Sequence, residues 1–136
     1  MRGIMILEYR ENTPVPAEHI ADLRQAVGWN RMETVYRDPR LRSYFHVACY
    51  DNEKLVGYID TVCNHVTDAY IQDLMVHPNH QSRGIGTELM NRVIAKLKAD
   101  RMYMISVLYD ERLHPFYKRF GFLEMRAGQL QTRHEP

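Results

Sequence analysis

Six consecutive residues, Gln81-Ser82-Arg83-Gly84-Ile85-Gly86, combine side-chain donors, one cation and two glycines spaced G-x-G, with no acid among them. They stand where an apolar run ending Leu74-Met75-Val76 meets a long amphipathic pattern that starts at Ile85. A helix N-terminus offers unpaired N–H groups and the positive end of the helix dipole, and glycine's missing Cβ lets an anion come close to that backbone. The chemistry this predicts is the cradling of a pyrophosphate by Gln81, Ser82, Arg83, Gly84, Ile85, Gly86 and Thr87. On spacing alone, the same glycines also suit a plain tight turn between strand and helix. Two common phosphate loops are excluded. Thr87-Glu88 follow Gly86 where a Walker A loop needs Lys-Ser/Thr, and the third glycine and early βαβ unit of a dinucleotide fold are missing.

The elements around this loop are legible from periodicity. Ile85, Leu89, Met90, Val93, Ile94 and Leu97 fall on one stripe of a helix that Asp100 closes, with Glu88 and Arg92 paired four apart on the solvated face. Residues 4–9 read as a first strand, and Ala17–Val27 as a helix stopped by Gly28. Pro39 suggests the start of a short helix. Three β-rich runs follow (43–50, 55–64 and 69–76), joined by short polar turns, as in an antiparallel meander. The run 102–109 is almost wholly apolar and predicts a strand buried on both faces. His114–Phe120 reads as a short helix stopped by Gly121, with two last short strands at 122–125 and 129–132. The fold class expected is α/β, more fully an α+β mixed sheet, mostly antiparallel and flanked by helices, with the strands on either side of the long helix parallel neighbours.

With 136 residues, the chain has the length of one domain, 1–136. Eighteen Lys and Arg against 17 Asp and Glu give a net charge of +1, which offers no general attraction to nucleic acid or to an acidic membrane. No apolar run reaches the ~20 residues of a membrane span, and the apolar N-terminal stretch is too short for a signal peptide. Cys49 and Cys63 lie in strand-like runs without metal or redox spacing, so reduced thiols and a cytoplasmic protein are expected. His77 and His80 have H-x-x-H spacing but straddle a loop proline and lack a third ligand, so no metal site is assigned.

The run from Tyr70 to Met90, with its Gln81–Gly86 loop, resembles the strand–loop–helix signature Q/R-x-x-G-x-G/A of the GCN5-related N-acetyltransferase (GNAT) superfamily. His114–Phe122 resembles that family's second hallmark, F-Y-x-x-x-G-F, and the element order is also the family's. The resemblance covers most of the chain. It implies acetyl-CoA as co-substrate and direct acetyl transfer to an amine. The loop amides would then hold the coenzyme pyrophosphate, and Leu74, Met75 and Val76 would pair with the pantetheine arm, with Phe116 beside it. A backbone N–H near Leu74 or Met75 would polarise the thioester carbonyl. Tyr117 matches the tyrosine that protonates the departing thiolate, a task for which a phenol is suited because it stays protonated at neutral pH.

Two positions depart from the family pattern. Asp110 stands near where relatives place a coenzyme-binding Asn. Gln72 stands where many carry a Glu as general base, and Asp73, by strand alternation, is expected to face away from it. The base is left open between Asp60, a histidine acting through water, and an amine that arrives neutral. Trp29 reads equally as a wall of the acceptor site and as a core anchor. A small primary amine is expected as acceptor, since the chain has little spare length for a peptide-gripping insertion; the coenzyme half is somewhat similar to arylalkylamine acetyltransferases, and polyamines, amino sugars and amino acids stay open. A non-catalytic acetyl-CoA sensor and a protein-directed transferase are the alternatives. Homodimerisation through the C-terminal segment is the family analogy.

Overall fold

The computed structural model describes residues 4–136. The chain runs β1 (Leu7–Glu11), α1 (Ala17–Ala26), α2 (Glu33–Tyr36), β2 (Val47–Asp51), β3 (Lys54–Cys63), β4 (Asp68–Val76), α3 (Ile85–Ala99), β5 (Met104–Val107) and α4 (His114–Lys118). The strands form one sheet in the order β1-β2-β3-β4-β5. Its first three pairs are antiparallel, and β4–β5 is parallel, joined through α3. This is the mixed, mostly antiparallel sheet flanked by helices that periodicity predicts.

Strand alternation divides the core into two layers. Val47, Cys49, Val56, Ile59 and Ile71 pack with Ile85, Leu89, Met90, Val93 and Leu97 of α3. Ala48, Tyr50, Leu55, Tyr58 and Met75 point the other way, onto Ile20 and Leu23 of α1. At Gly57 a Cβ would lie 2.8 Å from Ile85 Cγ2, so its absence lets the first turn of α3 rest on the sheet. Burying the α3 stripe contributes about 1.5–3 kcal/mol for each fully buried Leu, Ile, Val or Met.

Several expectations are corrected. The strand expected at 4–9 begins at Leu7, because its pairing runs from Leu7↔Asp51 to Glu11↔Val47 and leaves Ile4 and Ile6 beyond the end of β2. The helix expected at Pro39 lies earlier, at Glu33–Tyr36, entered through Met32 with φ +52°. Asp38-Pro39 instead form a turn in which Asp38 Oδ1 accepts from Arg40 N. The run 102–109 is not buried on both faces: β5 is a short edge strand with Met104 exposed and Ile105 and Val107 turned inward. The two last strands are absent, since 122–132 make no ladder. These last two differences have one cause. An apolar strand is covered on both sides only when a further strand or helix packs outside it, and the C-terminal segment supplies none.

β4 carries the departure that matters most for chemistry. Its register with β3 shifts between Tyr58↔Met75 and Asp60↔Gln72, so two residues, Asp73 and Leu74, oppose Ile59 alone. Asp73 takes φ +58°, a left-handed conformation that Asp tolerates better than most residues. Such a bulge breaks the two-residue period. The expectation that Asp73 faces away from Gln72 is therefore overturned: Gln72 bonds to Asp60, Asp73 bonds to Tyr36, and both turn toward the α1–α2 side.

Candidate active site

β4 and β5 pair only from Asp68↔Met104 to Ile71↔Val107, whereas β4 continues to Val76. The two strands diverge beyond Ile71, and the β4 edge from Gln72 to Val76 has no strand beside it. Leu74, Met75 and Val76 all lie on this open stretch. Their side chains are divided between the layers, Leu74 and Val76 toward α3 and Met75 toward α1, so it is the backbone edge, rather than one side-chain face, that borders the gap.

At the wide end of the gap, Gln81, Ser82, Arg83 and Gly84 form an exposed turn. Gly84, with φ +83°, is the N-cap of α3, and no side chain caps it. The first intrahelical bond there is Glu88 N to Gly84 O, at 3.0 Å, so the N–H groups of Ile85, Gly86 and Thr87 have no helical acceptor. Ile85 is itself buried under the sheet and offers only its backbone. Gln81 Nε2 donates to Val76 O at 3.1 Å and ties the turn to the end of β4. A Cβ on Gly86 would meet Phe116 Cζ at 3.5 Å and Val76 Cγ2 at 3.7 Å, which places α3, β4 and α4 in contact at this point.

Sequence reasoning passed over Arg119. Its guanidinium donates to Thr87 Oγ1 at 3.1 Å and lies 5.1 Å from the Phe116 ring centroid, so a second cation joins Arg83 at the loop. Its signal was present, since Arg119 falls inside the Phe116–Phe122 motif, but nothing in the linear order shows that α4 returns to the start of α3. Open N–H groups, two arginines and the unpaired β4 edge suit a pyrophosphate followed by an extended amide-bearing arm, which are the parts of coenzyme A that such a site would hold.

Tyr117 is 6% exposed, and its ring stacks on Tyr109 at 4.3 Å with the Phe116 and Phe122 edges around it. Among the described residues its hydroxyl has no hydrogen-bond partner. Burial, with Tyr70 and Tyr109 nearby, pushes the phenol up to about 12, so it is a proton donor at any ordinary pH. The Asp110 carboxylate accepts from Arg112 N and caps a short turn. His114 Nδ1 lies 2.9 Å from Tyr109 Oη.

The α1–α2 side of β4 is acidic and tyrosine-rich. Asp73 accepts from Tyr36 Oη at 2.8 Å and faces Arg24 Nη1 at 3.6 Å. Arg24 is in turn held by Asn30 O at 2.6 Å and Asn30 Oδ1 at 2.7 Å. Trp29 lies 5.2 Å from the Arg24 guanidinium and stays partly exposed, at the rim and not in the core. Asp60, 6% exposed, accepts from Gln72 Nε2 at 3.3 Å, Thr61 N at 2.8 Å and the Ser43 hydroxyl. Burial raises its pKa, partly offset by these bonds. His80 Nε2 pairs with Asp51 at 2.8 Å, and among the described residues no group of three or more possible metal ligands comes together.

Residues 5–122 match the Acetyltransferase (GNAT) family. The chain belongs to that family. It is 27% identical over 128 residues to an uncharacterized N-acetyltransferase, ycf52, of Gracilaria tenuistipitata var. liui, a match covering 90% of this chain and 70% of that one. It is 38% identical over 77 residues to GCN5-related N-acetyltransferase 3, chloroplastic, of Arabidopsis thaliana, covering 57% of this chain but 32% of that one. A GNAT family protein of Streptococcus pneumoniae superposes with a TM-score of 0.78 at 25% identity, over 96% of this chain and all of that one. The chain spans only about a third of the Arabidopsis relative, and it carries the GNAT acetyltransferase domain.

Proposed function

We propose that this GNAT protein transfers the acetyl group of acetyl-CoA to the primary amine of a small, cationic molecule. The observation that carries the reading is the divergence of β4 and β5, with an anion-binding helix end at one mouth and the Tyr117 phenol buried beside it. Bound there, acetyl-CoA supplies an activated thioester. The chain's contribution is to hold the phosphates on the amides of residues 81–87 with Arg83 and Arg119, and to line the arm along Leu74–Val76 next to Phe116. As the C–S bond breaks, Tyr117 gives its proton to the departing sulfur, the attacking nitrogen loses its second proton to solvent as the amide forms, and the phenol regains one from solvent. Asp60, which has no cation of its own among the described residues, attracts an ammonium on the far side, and the Tyr36 and Tyr70 side chains nearby suit an arylalkylamine or polyamine stem.

We place the activity in the cytoplasm, which the two free thiols support. The open β5 edge, together with Leu123, Met125 and Leu130 exposed on the C-terminal segment, supports a homodimer, which light scattering on the purified protein tests. The functional test is amine-dependent thiol release from acetyl-CoA, run on arylalkylamines, polyamines, amino sugars, amino acids and a lysine peptide, with Tyr117→Phe alongside. Release with one small-amine class that collapses in the variant supports the reading. Release with the peptide alone, or none with any amine, overturns it.

A further inference from the structure

A row of polar side chains crosses the α1 face of the sheet, starting at the open edge of β4 and ending at its opposite border. Gln72 and Asp60 are direct cross-strand partners on β4 and β3. Gln72 Nε2 donates to Asp60 Oδ2, and the Ser43 hydroxyl bonds Asp60 Oδ1. His46 Nδ1 lies 3.2 Å from Ser43 Oγ, and His46 Nε2 lies 2.7 Å from the Thr13 carbonyl oxygen, just past β1. Asp73 on the same face has Arg24 as counter-charge, whereas among the described residues no Lys or Arg bonds to Asp60.

The donors and acceptors in this row fix where a proton can be. A carbonyl oxygen only accepts, so His46 Nε2 carries hydrogen. With Asp60 ionised, the Ser43 hydroxyl donates to Oδ1, and Ser43 Oγ accepts from His46 Nδ1–H, which makes the ring imidazolium. With Asp60 protonated, its O–H donates to Ser43 Oγ, the serine O–H turns to His46 Nδ1, and the ring is neutral. The chain thus holds one proton that is either on the buried carboxylate or on the half-buried ring.

We propose that Asp60, Ser43 and His46 form a proton exit from the acceptor site to solvent. The inference rests on the amine-transfer reading above. An N–H bond of the acceptor's ammonium breaks beside Gln72, the electron pair stays on nitrogen for attack on the thioester carbon, and the proton joins the Asp60 carboxylate. His46 gives its Nδ1 proton to water at the exposed Ser43, Nε2 keeping its hydrogen on the Thr13 carbonyl oxygen, and Asp60 then passes the proton it has gained to Ser43 Oγ as the serine's own proton moves to the vacated Nδ1. One proton enters and one leaves, with no change of oxidation state. Asp60 and Ser43 thus do what Gln72, standing in place of a glutamate, cannot, while Gln72 holds Asp60 Oδ2 by its amide N–H. The groups facing this row are Asp73 and Gln72 from β4, Tyr58 from β3 (5.9 Å from the His46 ring), Tyr36 from α2, and Arg24 from α1 through Asp73.

Two measurements test it. The first is NMR of the His46 ring nitrogens, which needs no substrate. Asp60→Asn and Ser43→Ala each move the Nδ1 resonance, because its bond to Ser43 Oγ is rearranged or lost, while Nε2, held at the Thr13 carbonyl oxygen, moves less. An Nδ1 resonance unmoved in Asp60→Asn overturns the relay whatever the activity. The second is the pH profile of kcat/KM with the best amine. Ser43→Ala and His46→Ala lose about tenfold or more at neutral pH and converge on the parent as the free amine becomes neutral, and imidazole buffer restores His46→Ala. A loss equal at every pH, with no imidazole rescue, is structural damage and overturns the catalytic part. If the parent protein acetylates no amine, the transferase reading falls and takes the relay's catalytic role with it, while the NMR result still decides whether Asp60 and His46 share a proton.

Discussion

Replacing Tyr117 by Phe separates chemistry from packing with little ambiguity. The ring is 6% exposed, stacked at 4.3 Å on Tyr109 and edged by Phe116 and Phe122, and phenylalanine keeps all of that. Its hydroxyl has no partner among the described residues, so removing it forfeits no internal hydrogen bond. The stability change should be about 1 kcal/mol or less, a shift in Tm of about 4 °C at most for a chain of this size. The cost to catalysis is of another order. Loss of a positioned general acid typically costs 10²–10⁴-fold, or about 3–5 kcal/mol on the barrier at ~1.4 kcal/mol per tenfold. The assay is thiol release under saturating acetyl-CoA and amine, with KM for acetyl-CoA expected to stay near the parent value. Because the folded phenol lies up at about 12, the acid form persists across the assay range, and the parent profile should show no basic limb below pH ~10. Retention of half the parent kcat by Tyr117→Phe, or a basic limb near pH 8, would refute the assignment.

Four further outcomes follow from the geometry. Gly84→Ala forces a Cβ into φ +83°, so thermal unfolding should register a loss of about 1–2 kcal/mol, with weaker acetyl-CoA binding. Gly57→Ala places a methyl 2.8 Å from Ile85 Cγ2 and 3.2 Å from Cys49 Cβ, an overpacking worth about 1–3 kcal/mol in a denaturant melt. Arg119→Ala should raise KM for acetyl-CoA several-fold and flatten its salt dependence, leaving kcat close to the parent value. Asp60, with its folded pKa raised by burial, binds its proton more tightly folded than unfolded; the stability linked to it is present below the unfolded value of ~4 and is lost as pH rises through the folded one. Asp60→Asn should therefore melt higher than the parent at pH 8, with the difference vanishing toward pH 4.

The parts legible from sequence are those written in local period and short motif. The α3 stripe from Ile85 to Leu97, the turn that Gly84 punctuates and the Phe116–Phe122 segment all announce themselves in consecutive residues. What stayed hidden depends on partners distant in the chain. The bulge at Asp73 exists because Gln72 and Met75 pair with Asp60 and Tyr58 across an odd spacing, and no pattern within residues 70–76 signals an extra residue. The exposure of Met104 depends on whether residues 122–132 form a strand, which composition does not decide. Arg119 meets Thr87 across 32 residues, and the row from Gln72 to His46 draws on two strands and the loop before β2. Reading the acceptor side from alternation alone failed for the same reason: one positive φ reverses the face of every residue on one side of it.

Hydrogen–deuterium exchange of the backbone amides with and without acetyl-CoA tests most directly whether the gap between β4 and β5 takes the coenzyme. Protection confined to residues 72–76 and 82–87, reduced in Arg119→Ala, is the expected result. Binding without protection on the open edge of β4, or protection centred on the α1–α2 face, would contradict the account.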